Sequence, residues 1–513
     1  MVKLNCSKKE IEFDVSNIAL MFSPYAQEEL VVDIRVEKHY VFARLLRIEP
    51  IDITDEGIKK AENCRYYEEN IEEIKGKGLS EDKITILSEV EMNIKEDTDS
   101  MMQLKIIKQT CKRASYKLLS EYLNKIMPWG ILTGIRPTKI VNELFNQNLT
   151  MQEVNNHLRD EYLVSDSKRK LMVKVAREER HILSQNKKDE ISIYIGIPFC
   201  PTRCVYCSFT AYSLDKCGNA VEEYLKALFK EITYVAEVKK DAPIRSLYIG
   251  GGTPTSLNED QLERLLKHIN NSFDMQKVSE YTVEAGRPDT ITREKLIIMK
   301  KQGVGRISIN PQSMNQKTLD IIGRKHSVED IKKVFYEARQ EGHDCINMDI
   351  ILGLPGEDVG DVENTLIELE KLKPENITVH TMAIKRASLL KEDLMWDEEA
   401  SMLVQGQKIE KMLGVCEKHI GHMGLEPYYM YRQKNMLGNF ENVGYSTKDT
   451  PCVYNVEIME EKEPIIALGA GGVTKMVYSG GIERIPNVKS LKDYIERIDE
   501  MIDRKKVGFE KYR

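Results

Sequence analysis

At 513 residues the chain is longer than one ordinary core, so two or three domains are expected. Charged residues make up 31% and hydrophobic ones 41%, which excludes a disordered chain, and a formal net charge of -7 gives no support to nucleic-acid binding driven by overall charge. No apolar run is long enough to span a membrane, and MVKLNCSKKEIEFDV lacks a signal-peptide core, so the expected location is the cytosol.

The first segment, residues 1–185, is read as an α+β accessory domain. It begins with strand-like material at Val31–Arg47 and then turns helical, with apolar residues at helical spacing through Met102–Met127 and Leu158–Leu183. Between those helices lies PWGILTGIRPTKIVNELF, where Gly130, Gly134 and Pro137 punctuate a loop. Pro137 suits the first turn of the helix that follows. The polar stretch Ser184–Glu190 reads as a linker.

From Ile191 strand and helix signals alternate. The predicted strands are Ile191–Ile197, Arg245–Gly250, Ser279–Ala285, Gly305–Asn310, Cys345–Leu352 and Asn376–Met382. Asn258 and Gln261 stand at capping-box spacing at the head of an intervening helix. Six β-α units with short connections predict an α/β fold over residues 186–395, a parallel sheet curled into a full or partial barrel. Function on such a scaffold gathers at the C-terminal strand ends. The last segment, 396–513, opens with a helix (Ser401–His422) and becomes glycine-rich. Its GAGG run, Gly469–Gly472, follows the apolar stretch Pro464–Leu468 and lacks the third glycine of a dinucleotide fingerprint, so it reads as a tight turn.

Of ten cysteines, seven are scattered singly and read as small buried hydrophobes. The other three are Cys200, Cys204 and Cys207, a C-x3-C-x2-C at the end of the first barrel strand. Cubane iron–sulfur clusters are held by cysteine thiolates, usually four, so three leave one iron open to chelate a ligand. The competing reading is zinc, but structural zinc takes four Cys or His ligands, and the nearest further cysteine is Cys217. The second strand runs into Gly250-Gly251-Gly252-Thr253-Pro254, where a ligand could approach free backbone N–H and C=O groups closely. Glu284, Gln312, Arg324 and Asp349 fall at or just beyond later strand ends. An aspartate inside NMDIILGLPGE needs partners, and a satisfied core carboxylate is the alternative reading for it.

In this order and spacing, YIGIPFC with the cysteine triad, GGGTPT, the Glu284 strand, NPQSMNQKTLDIIGRKH and MDIILGLPGE resemble the radical S-adenosylmethionine (SAM) superfamily, within it the oxygen-independent coproporphyrinogen III oxidase group. The PWGILTGIRPTK extension looks like that of the HemZ-type, coproporphyrinogen dehydrogenase branch. The resemblance implies a partial (β/α)6 barrel with a small C-terminal α+β region covering the substrate. It implies a [4Fe–4S] cluster on Cys200, Cys204 and Cys207 and SAM as cofactor. Tyr194 and Tyr206 would flank the SAM site, Gly251, Gly252 and Thr253 would hold its methionyl end, Glu284, Gln312, Arg324 and Asp349 would complete it, and Ala383 would contact adenine.

The reaction so implied is anaerobic oxidative decarboxylation of coproporphyrinogen III to protoporphyrinogen IX in haem biosynthesis. An electron donor such as flavodoxin or ferredoxin is implied, with no membrane or nucleic-acid partner. Propionates demand cations, for which Lys385, Arg386, Arg432 and Lys434 are the candidates. Two departures bear on the substrate. The characterised oxidases read HIPFC and carry a further cysteine two residues after the triad, where this chain has Gly196 and Phe209. The sister haem chaperones carry an HN-x-x-YW segment, whose nearest counterpart here is Tyr454-Asn455-Val456-Glu457. A haem-trafficking protein on the same fold, or a radical enzyme acting on RNA, are the alternatives.

Overall fold

The computed structural model describes residues 2–48, 84–97, 99–207, 211–382, 398–433 and 440–511. The chain divides into two compact units, Met1–Val173 with Trp396–Gly406, and Lys174–Met395 with Gln407–Arg513.

In the first unit, strands β1 (Val2–Cys6), β2 (Leu30–Val36), β3 (Tyr40–Ile48) and β4 (Ile84–Asn93) form one sheet in that order. The strand-like stretch Val31–Arg47 is a hairpin, with Glu37 N–H donating to the Tyr40 carbonyl at 2.9 Å. Helices Lys9–Phe22 and Ser100–Tyr122 bury Ile11, Val15, Ile18, Cys111, Ala114 and Leu118 in one core with Val32, Ile34, Ala43 and Leu45 of the strands. The alternating strand pattern and the 3.6-residue helix pattern thus meet in a single apolar layer. The helical signal over Leu158–Leu183 resolves into the end of one helix, Met151–Asp160, and a second, Asp166–Leu183. Leu163, with φ at +58°, turns the chain between them.

The second unit holds β5 (Ile191–Ile197), β6 (Phe199–Cys200), β7 (Tyr212–Ser213), β8 (Ile244–Gly251), β9 (Val278–Gly286), β10 (Arg306–Ile309), β11 (Ile346–Leu352) and β12 (Asn376–Thr381). It continues with β13 (Glu426–Tyr431), β14 (Asn442–Ser446), β15 (Ile465–Leu468), β16 (Val473–Tyr478) and β17 (Gly481–Pro486). The six predicted barrel strands are β5, β8, β9, β10, β11 and β12, each within one residue of expectation at either end. They run parallel as successive neighbours. The C-terminal segment extends both edges of this sheet: β14 pairs antiparallel with β12 and carries β13, while β15 pairs parallel with β5 and leads to β16 and β17. β5 and β12 are not paired with each other, so the barrel stays open.

Alternation along the strands separates two faces. Ile193, Ile195, Leu247, Ile249, Val283, Met348 and Ile350 are buried. Tyr194, Tyr248, Glu284, Asn347, Asp349 and His380, on the opposite face, keep partial exposure. The predicted box on helix Glu259–Ser272 forms, Asn258 and Gln261 exchanging both capping bonds. Such a cap contributes about 1 kcal/mol.

Near the strand N-termini the inner face is closed by helix Val453–Glu460. Glu280 of β9 accepts the first amides of that helix, from Val453 at 2.9 Å and Tyr454 at 3.2 Å. Arg306 of β10 pairs with Glu280 at 3.3 Å and donates to the Pro451 carbonyl at 3.0 Å and to Asn376. A carboxylate at a helix N-terminus neutralises its exposed N–H groups and their partial positive charge. This seat presses Tyr454 against Tyr248 (ring centroids 4.3 Å) and Tyr194 (5.9 Å), all three rings within 20° of parallel.

Candidate functional site at the strand C-termini

β5 ends at Ile197, and the chain turns through Pro198 into the short β6, which pairs with β7 and places Cys200. The loop that follows closes a turn from Cys204 to Cys207, the Cys207 N–H donating to the Cys204 carbonyl at 3.1 Å. Its far side is pinned by Val205 N–H on the Ile322 carbonyl (3.4 Å) and by Arg324 Nη2, which donates to the Tyr206 hydroxyl at 2.8 Å. Cys200 Sγ lies 3.5 Å from the Thr253 hydroxyl. Burial pushes the Cys200 thiol up, and the neighbouring Cys207 and Cys204 add to this in smaller measure. The loop is held at both edges, and no disulfide joins its three cysteines.

The triglycine turn differs from the sequence expectation. Its amides are not free: Gly251 N–H donates to Glu284 Oε2 at 3.2 Å, Gly252 N–H to the Ile197 carbonyl at 2.8 Å, and Thr253 N–H to the Phe199 carbonyl at 2.8 Å. The turn is spliced onto the strand that leads to the cysteines, and that splice takes up its amides. Glycine is required where this splice is tightest. A Cβ on Gly252 would stand 2.5 Å from the Phe199 oxygen and 3.1 Å from Cys200 Sγ.

Glu284 accepts from the Tyr248 hydroxyl at 2.5 Å. Burial pushes its pKa up to about 7, with Asp349 adding to the rise, against the hydrogen bonds from Tyr248 and Gly251. Asp349 is as buried, yet its carboxyl is held below its ordinary value, because His380, at 3.7 Å, and Asn347, donating at 2.8 Å, outweigh desolvation. Two carboxyls on adjoining parts of one face are thereby set apart in proton affinity. Gln312 sits in the left-handed region with φ at +67°, locked by its N–H on the Asp349 carbonyl and by Ile351 N–H on its own carbonyl, both 3.0 Å. Such a conformation costs a non-glycine residue about 1 kcal/mol or more. It leaves the buried Gln312 Oε1 without a partner.

Arg324 is buried at 7% exposure, and while Nη2 serves Tyr206, Nε and Nη1 have no partner. A buried guanidinium with two open donors beside a thiol loop is costly unless an anion completes it. The donor set therefore fits a group held by the three thiols and an anion, such as a carboxylate, held by Arg324. A single metal ion fits less well. Tetrahedral zinc thiolates, with bonds of about 2.3 Å, bring sulfurs to roughly 3.8 Å of one another. Among the described residues no group of three His, Cys, Asp or Glu side chains is gathered to hold one ion.

Of the sequence-predicted residues, the structure brings Cys200, Cys204, Cys207, Tyr206, Gly251, Gly252, Thr253 and Arg324 around one loop. Tyr194, Glu284, Gln312 and Asp349 line the adjoining inner face. Ala383, Lys385, Arg386, Lys434 and Phe209 lie outside the described residues. Arg432 is 2% exposed, and burial pushes its pKa down to about 10 against the opposing charge of Glu441, so it does not stand on an open wall.

Sequence reasoning missed Tyr248, Tyr454, His380 and the pair Arg287–Asp289. Arg287 Nη1 faces Thr202 O at 3.0 Å, Thr202 Oγ1 at 2.9 Å and Cys204 Sγ at 3.7 Å. Asp289 holds its other two nitrogens at 3.0 and 2.7 Å. The signal was EAGRPDT, an arginine directly after a strand that already carried Glu284. The GAGG run is a structural turn: Gly469 and Asn487 converge on the fully buried Glu231, which also binds Lys505 at 2.7 Å and Tyr494 at 2.6 Å.

The chain is similar to known proteins. The profile of the Radical SAM superfamily matches residues 194–369. The oxygen-independent coproporphyrinogen-III oxidase-like protein HemZ of Bacillus subtilis (strain 168) is 40% identical over 440 residues, 84% of this chain and 86% of that protein. The heme chaperone HemW of the same organism is 32% identical over 310 residues, 60% of this chain and 76% of that one. Among solved structures, coproporphyrinogen III oxidase (HemN) from Escherichia coli is similar, with 22% identity, 64% of this chain and 73% of that chain covered, and a TM-score of 0.48. Among the described residues no helix is long and apolar enough to cross a membrane.

Proposed function

The chain belongs to the radical SAM superfamily, in the oxygen-independent coproporphyrinogen-III oxidase-like group of HemZ, and from that premise we propose that it carries out the oxidative decarboxylation of coproporphyrinogen III to protoporphyrinogen IX without oxygen. The observation that carries the cofactor assignment is Arg324, a buried guanidinium with two open nitrogens beside the cysteine loop. The porphyrinogen substrate rests on the 40% identity to HemZ.

Cys200, Cys204 and Cys207 would hold the [4Fe–4S] cluster and leave one iron position for SAM. When bound, cluster and SAM supply one-electron chemistry that no side chain here can perform. The side chains bind and orient. Arg324 Nε and Nη1 would take the SAM carboxylate, and carbonyls of the triglycine turn would accept from its ammonium. Asp349 and Gln312 Oε1 offer acceptors for ribose hydroxyls, while Glu284, with a pKa near 7, holds or shares a proton with Tyr248 Oη. The stacked Tyr194, Tyr248 and Tyr454 exclude water beneath the site. Each propionate converted would lose carbon dioxide, one hydrogen atom that leaves in deoxyadenosine, and one electron passed to an external one-electron acceptor, to become a vinyl group.

Anaerobic reconstitution with iron and sulfide, followed by incubation with dithionite, SAM and coproporphyrinogen III, tests this reading. It predicts deoxyadenosine together with vinyl-bearing porphyrinogen. Deoxyadenosine without vinyl product would keep the superfamily chemistry and remove the substrate. The likeness to HemW favours a second reading, a haem carrier. Tight haem binding in a spectral titration, with no vinyl product, would select it.

A further inference from the structure

We propose that Arg287 is a positioning residue for the Cys204 sulfur, which sets the reduction potential of the group that the cysteines hold. The inference rests on the cluster assignment above and goes beyond it.

Arg287 is buried at 3% exposure and is fixed from both sides. Nε and Nη2 form a two-point contact with Asp289, at 3.0 and 2.7 Å, a geometry that orients a guanidinium as well as neutralising it. His326 lies behind that carboxylate, Nδ1 at 3.4 Å from Asp289 Oδ1, with its ring only 1% exposed. The free end, Nη1, has two hydrogens and three acceptors: the carbonyl and hydroxyl of Thr202 and the sulfur of Cys204. One hydrogen is therefore shared. A thiolate is a stronger acceptor than a hydroxyl, so a ligating Cys204 draws that hydrogen toward sulfur.

Consequences follow from general electrostatics. A hydrogen bond to a ligand sulfur, and a positive charge beside it, favour the state with the extra electron and so raise the potential. The bond to the Thr202 carbonyl fixes the loop two residues before Cys204, so the same side chain sets the sulfur's place and its charge environment. Asp289 neutralises part of that charge, and Arg287 Nη1 stays within 3.7 Å of the Cys204 sulfur.

The test compares wild type, R287K and R287Q after anaerobic reconstitution, reading iron per chain, far-ultraviolet circular dichroism and the midpoint potential from a redox titration followed by electron paramagnetic resonance. Lysine keeps the charge and one donor, and glutamine keeps a donor alone. The expected result is a more negative midpoint in both variants, larger in R287Q, where the reduction equilibrium shifts about tenfold, equal to about 59 mV for one electron. A folded R287Q that loses iron while R287K retains it also supports the assignment, since charge beside Cys204 is then what holds the sulfur. Both variants keeping the wild-type midpoint, both losing iron alike, or both losing their fold alike would overturn it. If wild type itself takes up no iron–sulfur cluster, the cofactor reading fails, and the role of Arg287 fails with it. A loaded wild type with unshifted variants removes Arg287 alone.

Discussion

Tyr248 donates its phenolic hydrogen to Glu284 Oε1 across 2.5 Å, and the same carboxylate receives the backbone N–H of Gly251 on its other oxygen. This places a carboxyl with a pKa near 7 between a tyrosine stack and the triglycine turn, where a proton or a cationic ligand group competes for it. Tyr248→Phe removes a bond that stabilises the ionised form. The Glu284 titration then moves further above 7, and the pH profile of SAM binding moves in the alkaline direction with it. Equilibrium dialysis from pH 6 to 9 checks this, and an unmoved profile contradicts it.

Arg324→Met deletes the open donors that suit a carboxylate. A charge-assisted hydrogen bond is worth about 1.5–3 kcal/mol, so the SAM dissociation constant is expected to rise roughly tenfold to a hundredfold. Arg324→Lys recovers part of the loss. Isothermal titration with SAM on the cluster-loaded protein reads both.

Glu280→Ala leaves Arg306 buried without its counter-charge and strips the cap from helix Val453–Glu460. Breaking one partner of a buried pair costs on the order of 3–5 kcal/mol. Urea denaturation measures that loss, and a change under 1 kcal/mol would show that the seat is not needed for stability.

Stability should also fall as pH rises through neutrality. Burial pushes Glu457 up to about 7 and Glu463 up to about 8, both well above the ordinary carboxylate value. A carboxyl whose folded pKa is raised stabilises the folded chain fully below its unfolded pKa. That contribution is lost as pH climbs through the folded pKa, here from about 4.5 to 8. At about 1.4 kcal/mol per pKa unit, the pair together carries several kcal/mol. Chemical denaturation at pH 6 and pH 8.5 should give the higher stability at pH 6, and Glu463→Gln should flatten the difference.

The six barrel strands were legible because strand and helix signals alternate with short connections, and the cysteine loop because three thiols at that spacing have few other uses. Glu284 stood out by its place at a strand end, and Asp349 as a carboxylate inside an apolar run. What stayed hidden depends on contacts between distant parts of the chain. Glu280 caps a helix that starts 173 residues later, and Tyr454, noticed only for lacking a histidine, completes a stack with Tyr194 and Tyr248. The amides of the triglycine turn read as free because nothing local shows that Ile197 and Phe199 would claim two of them. Arg287 drew no attention in the sequence, and only the fold brings Cys204 to it.

The most direct test of the account is the electron paramagnetic resonance spectrum of the dithionite-reduced, anaerobically reconstituted protein with and without SAM. Three thiolates with one open iron predict about four irons per chain, a spectrum that SAM alters, and loss of both in Cys207→Ser. Stoichiometric zinc without iron–sulfur absorbance, or a reduced cluster whose spectrum ignores SAM, would contradict it.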